Sequence, residues 1–455
     1  MLNWLDERLG TAGWARAGLR KVFPDHWSFL LGEIALFCLV VLVLTGVYLT
    51  LFYVPDVTPV VYDGPFAPLQ GHEMSAAFRS VLRLSFEVQA GLVMRQVHHW
   101  AALVFVAAIV VHMARVFFTG AFRRPRELNW LVGISLLLLA LAMGLTGYSL
   151  PDDLLSGTGI RVVYSVALSI PFIGPGIAFL LFGGEYPGES IISRLFVFHI
   201  MLLPAVLLGG VAVHIFILWL QKHTQFAGPG HTNTNVVGKP FWPSQVFKSF
   251  GLFMLTSAVL ALMGGIFQIN PVWTFGPYDP TQVSAPSQPD WYMGWLDGAL
   301  RIFPPIELTL LGVTIPNQFI AGVVIPGIVF TFVIFYPFIE ALFSGDHEPH
   351  QLLDRPRDRP VRTAIGVAGL TFFVILTLAA GNDVAAVIFR VPVEGTTRVL
   401  QGLIIVAPVI AGVVTYNICK ELRRRERMAP HTPTVVELRR TPDGGWEAVE
   451  PDRSE

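Results

Sequence analysis

Long apolar stretches alternate with polar connectors along almost the whole chain. Each stretch is long enough to cross about 30 Å of hydrocarbon as an α-helix, which rises about 1.5 Å per residue. The pattern predicts eight transmembrane helices, A to H, at about 29–53, 96–118, 129–150, 194–220, 248–268, 319–343, 362–380 and 399–419. We therefore expect an all-α polytopic membrane protein.

The composition supports this prediction. Hydrophobic residues make up 53% of the 455 residues and charged residues 14%, and the mean hydropathy of +0.59 is far above that of ordinary soluble proteins. The net charge of −1 shows no basic excess, which argues against a nucleic-acid partner. Cys38 and Cys419 lie far apart in apolar stretches, so they indicate neither a disulfide framework nor a cysteine-ligated metal.

The positive charges predict the orientation of the chain. Most Lys and Arg residues fall in the connectors 16–27, 115–126, 222–248, 355–362 and 420–427, and such connectors face the cytoplasm. We expect a multi-pass protein of the bacterial cell membrane with both termini in the cytoplasm. Its predicted units are an amphipathic surface helix at 1–28, a four-helix bundle at 29–221, a cytoplasmic linker at 222–247, helices E to H at 248–420 and a polar, disordered tail at 421–455.

Four histidines interrupt the apolar helices: His98 and His112 in helix B, and His199 and His214 in helix D. An imidazole in hydrocarbon needs a hydrogen bond, a partner charge or a metal, because bare polar nitrogens are costly there. A gap of 14 residues turns only about 40° around a helix, and a gap of 15 about 60°. Each helix thus presents two histidines on about one face, which points to haem iron. A packing or proton-relay role is the alternative for any single histidine.

The predicted topology pairs these histidines by depth. Helices B and D run in the same direction, so His98 is level with His199 near the outer side, and His112 with His214 nearer the cytoplasm. This predicts two bis-histidine haems stacked across the membrane within helices A to D. His99 points about 100° away from His98, and we expect it to make polar contacts rather than to bind iron.

Helices A and C carry glycines at the same period, Gly32 with Gly46 and Gly133 with Gly147. A glycine lets a flat ring system approach the backbone, so these pairs predict clearance for the haems. Ordinary helix packing is the alternative. Arginines flank the histidines and are predicted to bind haem propionates, unless they only snorkel to the interface. They are Arg95, Arg115 and Arg194.

The sequence resembles cytochrome b of the respiratory and photosynthetic cytochrome bc complexes over about residues 20–420. The resemblance rests on the four histidines, Arg-Gln-Val-His at 95–98, Gly-Tyr-Ser-Leu-Pro at 147–151 and Pro-Asp-Trp-Tyr at 289–292. The combination is similar to the actinomycete-type menaquinol-oxidising branch. Leu30 stands where the photosynthetic branch has a haem-anchoring cysteine, so we expect no third haem.

The resemblance implies the subunit of a quinol–cytochrome c reductase with two non-covalent b-type haems. It implies an outer site that oxidises quinol, menaquinol rather than ubiquinol on the branch resemblance, with catalytic Asp290, Tyr292 and Tyr148 and with Pro289 and Trp291 shaping the site. A carboxylate there can accept one of the protons that quinol releases. One electron leaves outward and the other crosses both haems to a quinone on the cytoplasmic side, so that this Q cycle translocates protons.

A second quinone site is implied on the cytoplasmic side, where Lys222 and His223 are candidates. Positive-inside anchoring explains Lys222 equally well, and helix-end capping explains His223. Glu33 is a further polar neighbour. The stretch from His347 to His350 contains metal-ligand residue types but lies in a charged loop, where a solvated turn is the better interpretation.

The resemblance also implies partners: a Rieske iron–sulfur protein, a c-type cytochrome subunit with one or two haems, a haem-copper terminal oxidase and a second copy of the chain. Two other functions are compatible with intramembrane histidines. One is a haem-bearing anchor of another oxidoreductase, but such a protein would not be expected to have the 289–292 loop, the glycine pairs or helices E to H. A proton-coupled transporter needs discontinuous helices and polar clusters at mid-membrane, which the sequence does not indicate.

Overall fold

Eight helices dominate the computed structural model, which describes residues 2–184, 186, 188–282, 287–310, 312–428, 437–442 and 444–449. Within these residues, eight helices are long and apolar enough to cross a membrane, so the predicted number is confirmed. They are A (Leu31–Thr50), B (Gly91–Phe118), C (Glu127–Tyr148), D (Ile191–Gln221), E (Phe241–Ile266), F (Asn317–Ser344), G (Pro360–Ala379) and H (Val393–Met428). Helices B and H extend beyond their apolar stretches, because hydropathy marks the part of a helix inside the hydrocarbon and not where the helix ends.

The connectors fall on two faces of the helix bundle. The N-terminal face carries the start of helix A, and its connectors bind one another: the His350 N–H donates to the Arg124 carbonyl, and the Phe241 N–H to the Lys21 carbonyl. On the opposite face, the Gln96 side chain exchanges hydrogen bonds with the Ile269 backbone. This alternation is that of a multi-pass membrane protein.

Shorter elements cover both faces. The opposite face carries the surface helices Ala76–Phe86, Leu154–Leu168, Gly174–Phe182, Val272–Phe275, Trp291–Ile302 and Asn382–Phe389. Single 3-10 turns are found at Trp27–Phe29, Ala67–Leu69 and Pro356–Asp358. The short strand pairs are Val22–Phe23 with Lys239–Pro240, Pro59–Val61 with Glu73–Ser75, Gln225–Phe226 with Leu352–Leu353, and Leu308–Leu310 with Val313–Ile315.

The N-terminal segment differs from the single surface helix predicted for 1–28. It forms two helices, Leu2–Leu9 and Thr11–Leu19, followed by the strand Val22–Phe23. Gly10 separates the helices with φ of +58°, a conformation that glycine adopts readily and that ends a right-handed helix. The amphipathic pattern runs across this break, so it could not reveal the turn.

The tail also differs from the expectation of disorder. Helix H continues to Met428, and Glu437–Arg440 pairs with Trp446–Val449 as an antiparallel hairpin. The Trp446 N–H donates to the Gly238 carbonyl over 2.8 Å, so the hairpin gains a partner in the connector between helices D and E. Residues 429–436 and 450–455 lie outside the described part of the tail.

Helix A packs along helix B, and helix C along helix D. Their shared core is rich in small side chains, among them Ala35, Cys38, Ala101 and Ala140, which allow close helix approach in a membrane. Large apolar side chains such as Leu44, Phe216 and Ile405 point outward and are exposed, as a lipid-facing surface requires. The four histidines of helices B and D lie in the space between these two helix pairs.

Two buried arginines join the connectors of the N-terminal face. Arg126 donates hydrogen bonds to the carbonyls of His350 and Lys222 over 2.7 and 3.2 Å and to Gln351 Oε1 over 2.7 Å. Arg362 forms ion pairs with Glu340 and Asp354. A buried charge is tolerated only with such a set of partners, so these contacts hold the ends of helices C, D, F and G together.

Candidate haem and quinol sites

The four intramembrane histidines meet as two pairs, in the combination expected from the topology. The ring centroids of His98 and His199 are 6.2 Å apart, and those of His112 and His214 are 6.5 Å apart. Two metal–nitrogen bonds of about 2 Å, with the ring radius added on each side, require a centroid separation of about 6 Å. The separation in each pair therefore fits a haem iron that both imidazoles would hold.

A local widening of helix D sets the level of His199. The segment Phe198–Leu202 is π-helical and directly precedes Leu203–Pro204. Proline has no N–H and its ring crowds the carbonyl four residues earlier, so the backbone widens there. A π turn takes up one extra residue, and the 15-residue gap to His214 thereby covers the rise of the 14-residue gap in helix B.

Threonines orient the histidines of one pair. His98 Nδ1 lies 2.9 Å from Thr45 Oγ1, which itself donates to the Val41 carbonyl over 2.7 Å. His199 Nδ1 lies 3.2 Å from Thr146 Oγ1 and 3.1 Å from the Met143 carbonyl. With Nδ1–H used in this way, Nε2 of each ring is free for a metal.

The second pair has no such support. His112 Nδ1 is buried and makes no hydrogen bond within the part of the chain that the structure describes, and the polar neighbour of the His214 ring is the Asn129 backbone. The two levels therefore differ in how the imidazoles are held. Sequence reasoning missed Thr45 and Thr146, although each directly precedes one of the periodic glycines.

Each of the four periodic glycines lies against one histidine. In helix A, a Cβ added at Gly32 would lie 3.2 Å from His112 Cε1, and a Cβ added at Gly46 would lie 3.2 Å from His98 Cε1. In helix C, a Cβ added at Gly133 would lie 3.5 Å from His214 Cε1, and a Cβ added at Gly147 would lie 2.5 Å from His199 Cε1. Helices A and C thus leave room beside the imidazoles, and any larger side chain at Gly147 displaces the ring.

Two of the three flanking arginines have guanidinium nitrogens without partners. Nε and Nη2 of both Arg95 and Arg115 are buried and make no hydrogen bond to any described residue. Such buried charge suits an anionic ligand, and binding of haem propionates by these two arginines stays a prediction. Arg194 differs, because its Nη1 donates to the carbonyls of Phe179 and Leu180 over 2.9 Å each. Its role toward a haem stays a prediction.

On the opposite face, the 289–292 loop meets helices B and C. The Asp290 carboxylate accepts a hydrogen bond from the Tyr292 hydroxyl over 3.1 Å and lies 2.9 Å from His99 Nε2. Tyr292 is buried beside Gly144, where a Cβ would lie 2.5 Å from its hydroxyl oxygen. Sequence reasoning gave His99 only unspecified polar contacts, because its partner lies 191 residues away along the chain.

Two carboxylates near this loop were not predicted as part of a site. Asp152 and Asp153 are only 9% and 2% exposed, and burial raises the pKa of each to about 6. Asp153 caps the helix Leu154–Leu168 by accepting from the Ser156 N–H over 3.2 Å. That helix packs on Tyr148, since a Cβ at Gly159 would lie 3.1 Å from the tyrosine ring.

The N-terminal face presents His223 beside the end of helix D. Its ring lies 4.4 Å from that of Phe23, and its Nδ1 is buried without a partner among the described residues. Burial, together with the charges of Lys21, Arg126 and Arg115, lowers the pKa of His223 to about 3. Lys222 is exposed and has φ of +64°. Of the two predicted quinone contacts, His223 therefore has the free buried nitrogen.

Two further polar groups lie on this face. Glu33 Oε1 accepts a hydrogen bond from Gln245 Nε2 over 2.9 Å, while its Oε2 is buried without a described partner. In the 347–350 stretch, His350 Nε2 lies 2.9 Å from Asp346 Oδ1, and the His347 carbonyl accepts from Arg124 over 2.8 Å. Among the described residues no three His, Cys, Asp or Glu side chains are grouped as metal ligands.

Comparisons with known proteins identify the family of this chain. Residues 103–277 match the family model described as cytochrome b (N-terminal)/b6/petB. Similar proteins include cytochrome bc1 complex cytochrome b subunits from Streptomyces coelicolor, 49% identical over 93% of this chain and 78% of the relative, and from Mycobacterium tuberculosis, 50% identical over 97% and 81%. The subunit from Corynebacterium diphtheriae is 48% identical over 93% and 78%.

The fold is also found in a solved structure. A chain of the hyperthermophilic respiratory Complex III superposes with a TM-score of 0.68, covering 92% of this chain and all of that one, at 20% identity. This likeness concerns the fold, whereas the near-full-length relatives share about half of their residues with this chain. The chain therefore belongs to the cytochrome b subunits of cytochrome bc1 complexes, haem proteins at the catalytic core of quinol–cytochrome c reductases in respiratory electron transfer.

Proposed function

We propose that this chain oxidises quinol, with menaquinol as the expected substrate, on one side of the membrane and reduces quinone on the other. Two b-type haems, held by His98 with His199 and by His112 with His214, connect the two sites. The observation that carries the proposal is the spacing of the two pairs, whose ring centroids are 6.2 and 6.5 Å apart. Each haem, when bound, supplies a one-electron carrier at its level of the membrane.

The protein groups around the histidines support this assignment. Thr45 and Thr146 keep the Nδ1–H groups of His98 and His199 occupied and so leave Nε2 as the nitrogen that would bind a haem iron. The partnerless nitrogens of Arg95 and Arg115 offer charge-assisted hydrogen bonds to propionates at the two levels. The glycines keep helices A and C from crowding the imidazoles.

Quinol oxidation takes place beside the 289–292 loop in this proposal. A bound quinol loses two protons and two electrons. Asp290 accepts one proton because its carboxylate is buried and already oriented, and the second proton leaves to water on this side of the membrane. Pro289 restricts the turn, Tyr292 holds the carboxylate, and Tyr148 and the partly exposed Trp291 line the approach. A haem held by His98 and His199 would supply the acceptor for one of the two electrons, and an iron–sulfur partner would supply the acceptor for the other.

The second quinone site lies at the N-terminal face near His223. Its buried Nδ1 can bind a quinone carbonyl, and Arg126 and Lys21 contribute positive charge that favours the reduced, negatively charged ligand. Lys222 delivers protons from water, since it is exposed beside this ring. Glu33 offers a further buried carboxylate oxygen on the same face.

The orientation and the partners follow from the same proposal. The N-terminal face carries the arginine-rich connectors and is the cytoplasmic one by the positive-inside rule, so the 289–292 loop faces outward. Proton release there and proton uptake at the other face move charge across the bacterial cell membrane. The outward electron requires a Rieske iron–sulfur protein and a c-type cytochrome. A homodimer and an associated haem-copper oxidase complete the assembly that we propose.

Spectra of the purified complex test the haem assignment. We expect b-type bands after dithionite reduction, loss of one haem in either His98→Ala or His199→Ala, and loss of the other in His112→Ala or His214→Ala. His347→Ala, on an exposed turn, is the matched control and should retain both. Persistence of both bands in the His98→Ala/His112→Ala double variant would refute the two-haem assignment.

Quinol turnover tests the substrate side of the proposal. Asp290→Asn should slow quinol oxidation by roughly 10²-fold or more, the usual contribution of a positioned acid–base group, while both haem bands stay intact. Unchanged turnover would contradict the role of Asp290. Extraction of the quinone that copurifies with the complex decides between menaquinone and ubiquinone.

A further inference from the structure

His99 and Asp290 form a largely buried hydrogen-bonded pair. His99 Nε2 lies 2.9 Å from Oδ2 and 3.0 Å from Oδ1 of Asp290, and the two side chains are 17% and 7% exposed. His99 projects from helix B, whereas Asp290 directly precedes the helix Trp291–Ile302. The pair thus links helix B to the loop that carries the proposed proton acceptor.

The remaining contacts of Asp290 show what this pair does. The Tyr292 hydroxyl donates to Oδ2 over 3.1 Å, so two donors fix the plane of the carboxylate. An ionised carboxylate has about four acceptor positions, and His99 with Tyr292 leaves at least one of them for a substrate hydroxyl. A proton acceptor works only when it stays within hydrogen-bond reach of the proton that it takes.

We propose that His99 is a positioning residue for quinol oxidation, which holds the Asp290 carboxylate in one orientation through its Nε2–H donor. The inference rests on the proposed function, because it takes Asp290 as the first proton acceptor. It requires only the N–H of the ring, so a neutral donor of the same reach can replace His99.

The loop has other anchors, so the role of His99 is separable from folding. Gln288 Nε2 donates to Asp383 Oδ1 over 2.7 Å. Arg301, in the helix that follows the loop, bonds to Asn382 and pairs with Asp383, each over 3.2 Å. Removal of His99 therefore leaves the loop attached while it releases the carboxylate.

The test compares His99→Gln with His99→Leu in the purified complex. The glutamine amide keeps an N–H donor near the position of Nε2, whereas leucine has none. We expect His99→Leu to lower kcat roughly tenfold, with an unchanged KM for the quinol and both haem spectra intact, and His99→Gln to restore most of that loss. His347→Leu, on an exposed turn, is the control and should match the parent.

A double variant shows whether His99 acts through Asp290. Coupled residues give non-additive losses, so His99→Leu/Asp290→Asn should be no slower than Asp290→Asn alone. Unchanged turnover in His99→Leu, equal losses in the Gln and Leu variants, or multiplied losses in the double variant would each overturn the inference.

Two further outcomes separate this inference from the proposed function. If Asp290→Asn leaves turnover unchanged, the proposed role of Asp290 fails, and the inference fails with it. If Asp290→Asn is slow while His99→Leu is not, the inference alone fails. Should the leucine variant lose haem, the comparison moves to His99→Gln and His99→Asn. The shorter asparagine cannot reach Asp290, so equal kcat values in these two variants would refute the positioning role.

Discussion

Gly147 of helix C touches the imidazole of His199 in helix D so closely that a Cβ at position 147 would lie 2.5 Å from His199 Cε1. At Gly133, the equivalent Cβ would be 3.5 Å from His214 Cε1, an ordinary van der Waals contact. The two glycines of helix C therefore differ in the side chains that can replace them, although the sequence spacing matches both of them to a histidine.

Gly147→Ala is expected to impair haem binding at the His98/His199 level, because the new methyl group displaces the imidazole from its position. Haem per polypeptide, measured from the reduced spectrum, should fall to less than half at this level and remain full at the other. The Gly133→Ala variant should lose much less haem. The Gly251→Ala variant should have the haem content of the parent, because Gly251 faces open space. Equal haem content in Gly147→Ala and Gly251→Ala would contradict the steric reason.

Thr45→Val is expected to raise the midpoint potential of the His98/His199 haem by tens of millivolts. The hydroxyl accepts from His98 Nδ1–H over 2.9 Å, which makes the ligand more basic and favours ferric iron. Loss of a hydrogen bond of about 1 kcal/mol corresponds to a shift of roughly 40 mV for one electron. A redox titration measures it. Thr371→Val, whose hydroxyl bonds only within helix G, is the control; a shift of both haems or of neither would refute this role.

Arg115→Gln is expected to lower the midpoint potential of the His112/His214 haem, because it removes a buried positive charge that favours the reduced iron. Nε and Nη2 of Arg115 have no partner among the described residues, so a propionate is their natural acceptor. The shift should be tens of millivolts or more and opposite in sign to that of Thr45→Val. Arg398→Gln, an exposed residue, should leave both potentials unchanged. An unshifted potential in Arg115→Gln would mean that this guanidinium is not beside the haem.

Asp152→Asn is expected to stabilise the protein at neutral pH. Burial raises the pKa of Asp152 from 3.8 to about 6, so the folded protein keeps this proton longer than the unfolded chain does. Stability therefore falls as pH rises from about 4 to about 6, and asparagine avoids that loss. The gain above pH 7 is on the order of 1–3 kcal/mol, and asparagine accepts the φ of +54° at this position.

Thermal loss of the haem spectrum at a fixed scan rate measures this effect. The apparent midpoint of Asp152→Asn should exceed that of the parent at pH 7.5, and the difference should shrink at pH 5. Asp63→Asn removes an exposed carboxylate of a surface ion pair and should change little. A difference that is independent of pH would show that ionisation of Asp152 is not its cause.

Much of the architecture could be predicted from the sequence, because hydropathy and helical period are local properties. The eight helices follow from apolar runs, and the pairing of His98 with His199 follows from their spacing once the helix directions are known. The two ends were less predictable. Gly10 divides the N-terminal segment, and the strands Glu437–Arg440 and Trp446–Val449 pair beside Gly238, a contact that no local pattern contains.

The sequence by itself therefore determined the membrane class, the two histidine levels, the matched glycines and the loop that contains Asp290. Only the tertiary structure decided which groups act on them. The Thr45 hydroxyl lies against His98 and the His99 ring against Asp290, although 53 and 191 residues separate the partners. Such contacts depend on how the helices are rotated against one another, which results from the packing of the whole bundle.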